Sequence, residues 1–264
     1  MDKDYAIRSG VFIPANGPED WKEFLADSEK HWKVGYSAMS TACAWDNPQR
    51  TIPAKVLASL EASDGESLHD LHLLLAIPEY KVDLPGGARP SQTDVFALCR
   101  NDRGLVAMAV EGKADETFGP TVGEKLEKAT GGQLLRLKYL HQQLGLDYPV
   151  PEAIRYQLLH RTVSALLLAE TYDARAAVMM VHSFSEEHRW FEDYARFVSL
   201  FSVETALDRT CFLFTSESGI KVYTGWASDE HRSMEPINKD VKESVDIAQS
   251  DRRMLPGSGT SNVL

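Results

Sequence analysis

The chain has 264 residues, of which 43% are hydrophobic and 25% charged, and its net charge is −11. This is close to an average globular composition. It excludes gross disorder, collagen and coiled coil, and the length suffices for a core without disulfides or structural metal. The acidic total opposes non-specific binding of nucleic acid or anionic membrane by the surface as a whole, while leaving room for a local basic groove.

The first ten residues, MDKDYAIRSG, lack an apolar signal core, and no apolar run, Leu73 to Ile77 included, is long enough to cross a bilayer. Cys43, Cys99 and Cys211 are far apart and form no CxxC pair, which sets aside zinc ribbons and disulfide scaffolds. A cytoplasmic protein without membrane contact is expected. Residues 1–65 read as a layer of short helices. Pro18-Glu19-Asp20 opens the first, with Trp21, Phe24 and Leu25 as its apolar face. A second covers Tyr36 to Trp45, and a third begins near Pro53, with Val56, Leu57 and Leu60 at helical spacing. The aromatics Trp21, Trp32, Tyr36 and Trp45 read as packing residues, with a binding surface as the alternative.

The middle of the chain changes character. Glu79 to Leu84 reads as a short strand ended by Pro85-Gly86-Gly87. Asp94 to Arg100 and Leu105 to Lys113 read as an antiparallel hairpin around Asn101-Asp102-Arg103-Gly104. Both of its faces are apolar, so the sheet should be covered on both sides. Val122 to Leu144 is helical in composition and is interrupted or bent near Gly131-Gly132. Pro151 opens another helix, with Ile154, Leu158, Ala165 and Tyr172 on one stripe. Ala176 to Val181 is a buried strand, and Glu186 to Phe201 an amphipathic helix with Trp190, Phe191, Tyr194 and Phe197 inward. Cys211 to Phe214 and Ile220 to Trp226 are two last strands. The expected organisation is one globular domain, 1–228, followed by a polar, partly disordered tail, 229–264. The expected class is α/β (α+β) with a mixed sheet.

The hairpin carries the chemistry. With Arg100 and Leu105 flanking the turn, residue 98 pairs with 107, 96 with 109, and 94 with 111. Asp94 then lies opposite Glu111, with Cβ atoms about 4.5–5.5 Å apart, and Lys113 shares their face with Phe96, Leu98, Ala107 and Ala109. Opposed like charges repel, and a divalent cation on rigid oxygen ligands would offset that cost. The alternative is that Asp94 begins a strand and that Glu111 and Lys113 form a solvated pair at the end of theirs.

Asp94, the short hairpin and Glu111-Gly112-Lys113 together resemble the signature of the PD-(D/E)XK nuclease superfamily, the restriction-endonuclease-like fold. The resemblance covers roughly residues 70 to 185. It implies a core of helix, three antiparallel strands, helix and strand, with the aspartate on the second strand and E-x-K on the third. The strands would be Glu79–Leu84, Asp94–Arg100 and Leu105–Lys113, followed by the helix Val122–Leu144 and the strand Ala176–Val181. It further implies Asp94, Glu111 and the Gly112 carbonyl as ligands of Mg²⁺ or Mn²⁺, and Lys113 as the residue that orients the attacking water. Gln133 would be a helix-borne catalytic glutamine and Glu79 an extra acid. Thr93 stands where the motif's name has proline. The longer phrases HWKVGYSA, LPGGARPSQTDVFAL, VEGKADETFGPTVGE and RYQLLHR resemble an uncharacterised prokaryotic family placed near those nucleases, which brings no substrate.

The expectation is therefore a metal-dependent nuclease with DNA as partner. The alternatives are a non-catalytic interaction module that binds a protein partner or a second copy of itself, and a hydrolase of a small phosphorylated molecule. Gly119 to Leu126 lacks the spacing and the Ser/Thr of a phosphate-binding loop. His69 and His72 read as surface residues, and His182 and His188 as structural ones. His160 and Arg161 are read as facing the hairpin and meeting phosphate, with the arginine pairing with an acid between helices as the alternative. Asp115 and Glu116 are expected to be solvated.

Overall fold

A computed structural model describes residues 11–233 of the chain. Three short helices come first: α1 (Ser28–His31), α2 (Ser37–Trp45) and α3 (Ala54–Glu61). The strands β1 (His72–Val82), β2 (Ser91–Asn101) and β3 (Gly104–Lys113) follow as an antiparallel meander. Helices α4 (Val122–Leu126), α5 (Gly131–Leu144) and α6 (Tyr156–Thr171) lead to β4 (Ala176–Ser183), which lies parallel to β3. Helix α7 (Phe191–Val198) precedes β5 (Thr210–Thr215) and β6 (Lys221–Ser228). The strands form one sheet in the order β1-β2-β3-β4-β6-β5, so the fold is a mixed α/β sheet flanked by helices. Among the described residues no helix is long and apolar enough to cross a membrane.

Alternation along β2 and β3 divides their side chains between two cores. Val95, Ala97, Cys99, Val106, Met108 and Val110 face the α2–α3 layer with Trp45, Val56 and Leu60. Phe96, Leu98, Ala107 and Ala109 face α6 through Ala165, Leu166 and Ala169. Strand β4 is buried at all eight positions, covered on both faces, and this is why its first six residues, Ala176 to Val181, read as a continuous apolar run.

Several elements differ from the sequence expectation. Strand β1 starts seven residues earlier than expected, at His72, because its apolar run Leu73–Ile77 packs on β2. Of the two readings of 122–144, interrupted or bent, the structure has the interruption, and the stretch is two helices. Thr130 caps the second, with Gln133 completing a capping box, so the Gly131-Gly132 pair marks a helix start and not a bend. The helix expected at Pro151 begins at Tyr156, because Ile154 donates back to the Pro151 carbonyl in a turn. Helix α7 is shorter than expected, and Trp190 stands at its start with positive φ. Of the N-terminal aromatics, Trp21 and Trp45 are buried while Phe24 and Tyr36 are exposed. The domain runs past residue 228, since Asp229 donates its N–H to the Ser183 carbonyl at 2.7 Å. The remainder of the expected tail, 234–264, lies outside the described residues.

The loop between β1 and β2 explains the glycines of LPGGARP. Gly86 has φ +71°, and a Cβ there would lie 2.3 Å from the Gly132 carbonyl oxygen at the start of α5. Arg136, one turn along α5, closes the arrangement by donating to the carbonyls of Leu84 (2.9 Å), Pro85 (3.3 Å) and Arg89 (2.6 Å). Gly86→Ala meets both a backbone clash and an unfavourable φ, so it should destabilise the fold by about 1–3 kcal/mol, read as a lower urea midpoint at unchanged m-value.

Candidate functional site

The β2–β3 ladder follows the expected register, with Leu98 opposite Ala107 and Phe96 opposite Ala109, and it ends at Val95–Val110. Beyond that pair the strands part. Asp94 does not form the next backbone pair; its Oδ2 accepts the Gly112 N–H at 2.8 Å, taking the place of a ladder carbonyl. The N–H and C=O of one strand residue point toward the same neighbour, so the Gly112 carbonyl also faces this opening. Thr93 holds the other side of the fork by donating its hydroxyl to the Val110 carbonyl at 2.8 Å.

Glu111 and Lys113 point toward α6 and are both buried. Lys113 Nζ donates to Glu111 Oε1 at 2.7 Å and lies 5.2 Å from the centroid of the Phe118 ring. From α6, Gln157 Nε2 donates to the same oxygen at 2.6 Å and Arg161 Nε to Oε2 at 2.5 Å. Burial pushes the Glu111 carboxyl up, but Arg161 and Lys113 outweigh it and hold the group below its ordinary range. The cost of opposed carboxylates, expected to fall to a cation, is therefore met at Glu111 by protein donors.

At Asp94 and Glu79 the nearby cations, Lys113 and Arg161 for the first and Arg161 and Lys81 for the second, do not outweigh burial. Glu79 and Asp94 lie between the β1–β2 pairs Pro78–Val95 and Tyr80–Thr93, and Glu79 has φ +51°. Burial, then Glu111 and then Glu79, hold the Asp94 carboxyl well above its ordinary range. Burial above all, with Glu111 adding to it, raises Glu79 to about 7 despite a 2.6 Å hydrogen bond from Gln92.

The glycine of E-G-K has a steric reason. Gly112 faces α2, and a Cβ on it would lie 2.3 Å from Thr41 Oγ1. Glu116 is not the solvated residue expected from sequence. It accepts from the Ser37 N–H at 3.2 Å, from the Ser37 hydroxyl and from the Ala114 N–H at 3.1 Å, fixing the start of α2 to the end of β3. Asp115 is exposed, beside Arg189. His182 is buried, with Nε2 3.2 Å from Asp229 Oδ2.

Residues 14–231 match a family described as Domain of unknown function (DUF6946). The chain belongs to this family. The match contains every residue of the site. No curated protein and no solved structure matches the chain.

Within this DUF6946 chain, Asp94, Glu79, Glu111, Gly112 and Lys113 come together and Gln133 does not. The Gln133 side chain accepts the Thr130 N–H at 2.8 Å as part of the α5 cap, and the glutamine that meets Glu111 is Gln157. Arg161, which the sequence left between facing the hairpin and pairing with an acid, joins Gln157 on Glu111. The available signal was their spacing in RYQLLHR, four apart and so on one helix face.

Two outcomes follow from this geometry. Gly112→Ala should cost about 1–3 kcal/mol, and Thr41→Ala should recover part of it, giving a measurable coupling in a double-mutant denaturation cycle. Glu79 holds its proton more tightly when folded, so its contribution to stability falls as pH rises from the ordinary carboxyl range toward about 7. Glu79→Gln should make the decline of the urea midpoint across that window shallower.

Proposed function

We propose that this protein is a divalent-metal-dependent phosphodiester hydrolase of the PD-(D/E)XK type, acting on nucleic acid. The carrying observation is the convergence of Asp94, Glu111, Lys113 and Gln157 where β2 and β3 part. The chain order supports the same reading: helix α3, the meander β1-β2-β3, helix α6, then β4 parallel to β3, with the aspartate on β2 and E-G-K on β3.

The donor set fits a hard cation of the Mg²⁺ type. Asp94 and Glu79 are carboxyls raised by burial and then by Glu111, and a cation would add counter-charge there. Among the described residues no group of three or more acidic, histidine or cysteine side chains is arranged to hold a metal ion. Two carboxylates and a carbonyl instead suit Mg²⁺, which keeps waters and substrate phosphate oxygens in its shell. Asp94, Glu111 and the Gly112 carbonyl would hold it. When bound, the cation polarises a phosphoryl oxygen and acidifies a water.

The chain's own groups do the rest. Lys113 presents an ammonium at the same carboxylate, placed to orient a water and to stabilise negative charge developing on phosphate. Gln157 and Arg161 fix the Glu111 rotamer from α6, so the carboxylate is oriented before substrate arrives. A second reading, an interaction module, is favoured by one observation: both Glu111 oxygens are already satisfied by protein donors.

Removing Glu111 would leave Lys113 and Arg161 unpaired and buried, at a cost of about 3–5 kcal/mol, so Asp94→Asn is the cleaner probe. Calorimetric titration of Mn²⁺ should show saturable binding by the wild type and at least about tenfold weaker binding by Asp94→Asn. With Mg²⁺ present, the wild type should cleave single-stranded DNA, duplex DNA or RNA, and Asp94→Asn and Lys113→Met should each lose at least about 100-fold in rate. No Mn²⁺ binding by either folded protein would hand the site to the interaction module.

A further inference from the structure

The charge balance gives this protein no general affinity for a polyanion, yet cations gather beside the carboxylates. Lys125 of α4 lies with Nζ 5.1 Å from the centroid of the Tyr156 ring. The Tyr156 ring is 5.0 Å from that of His160, one turn further along α6. His160 Nδ1 lies 3.3 Å from Arg161 Nη1, and Arg161 Nε holds Glu111. A continuous chain of touching side chains thus runs from Lys125 to the Glu111 carboxylate. Arg136 of α5 stands against Tyr156, with its N–H groups spent on backbone carbonyls and its charge unmatched by any carboxylate among the described residues.

The hydrogen bonds around His160 fix where its proton sits. Arg161 Nη1 donates to Ser91 Oγ at 2.8 Å, and Ser91 Oγ lies 2.9 Å from His160 Nδ1. Arg161 Nη1 can only donate, and it also reaches His160 Nδ1 at 3.3 Å, so Nδ1 accepts and the ring proton sits on Nε2. That nitrogen has no partner among the described residues. Burial, then Arg161, Arg136, Lys125 and Lys113, keep His160 neutral, well below its ordinary range. Lys125 likewise has no carboxylate within ion-pair distance among the described residues. An ammonium and a neutral N–H without acceptors, in a positive field, make a site for one anion.

We propose that Lys125 and His160, in the field of Arg136, bind a backbone phosphate next along the strand from the one held at Asp94 and Glu111. The proposal rests on the hydrolase reading for the identity of the polymer, and it adds the contact that lets an acidic protein hold one. It places the substrate strand across the N-terminal end of α6, over Tyr156.

The test is fluorescence anisotropy in EDTA, without metal and therefore without turnover. The probe is a fluorescein-labelled single-stranded DNA 20-mer, alone and as a duplex, and KCl is varied from about 50 to 200 mM. The full chain should bind at least one form, more weakly as salt rises. Lys125→Gln should bind about fivefold or more weakly at the lowest salt, with the log–log salt slope reduced by about one, and Lys125→Arg should restore both. Equal affinity and slope for wild type and Lys125→Gln would overturn the proposal, as would absence of wild-type binding to either form. Mn²⁺ calorimetry on Lys125→Gln should match wild type, which certifies its fold and separates the two ideas. Lys125-dependent binding without cleavage would retain the subsite and reject the hydrolase.

Discussion

The Glu111 carboxylate is where the two halves of this fold are joined electrostatically. It leaves β3 in the middle of the sheet, is almost fully buried, and receives Lys113 from its own strand and Gln157 and Arg161 from α6. A lone carboxylate at that depth would be neutral or would prevent folding, because the cost of removing a charge from water exceeds the stability of a whole domain. Three donors make the ionised form the stable one, and each of them constrains a neighbour. Arg161 continues to Ser91 at the start of β2, and Ser91 to His160, so β2, β3 and α6 are tied through one network.

That network also sets the character of its surroundings. Burial first, and then the Glu111 anion, raise the carboxyls of Asp94 and Glu79. Its partner Arg161 keeps His160 neutral on the other side. Acidic groups in need of a cation and basic groups in need of an anion therefore lie side by side across one guanidinium. Such an arrangement is costly as pure scaffolding, since buried ion clusters seldom stabilise more than apolar packing would. On the proposed hydrolase reading, that cost is met when a phosphodiester and a divalent cation arrive together.

The opposite face of the sheet shows how closely the backbone is held at the same point. Gly112 lets α2 approach until Thr41 occupies the space of a side chain, and Glu116 ties the first residue of α2 to the loop after β3. The E-G-K segment is thus fixed from the α2 side by contact and from the α6 side by charge. Such double support is what the proposed hydrolase reading needs of this segment.

By itself the sequence determined the hairpin, its register and the grouping of Asp94, Glu111 and Lys113. Those follow from a tight turn and from alternation along two strands, interactions that span fewer than 20 residues. It also determined β4 over Ala176 to Val181, because a strand covered on both faces reads as a continuous apolar run. Which glutamine joins the site was settled only by tertiary structure. Gln133 and Gln157 both lie in helical sequence after the hairpin, and the choice depends on where Thr130 starts a helix and on which helix docks against β3. The pairing of Arg161 with Glu111, across a separation of 50 residues, is of the same kind. Local pattern fixes which side chains share a face; only packing decides what that face meets, and the charge state of each buried group follows from that meeting.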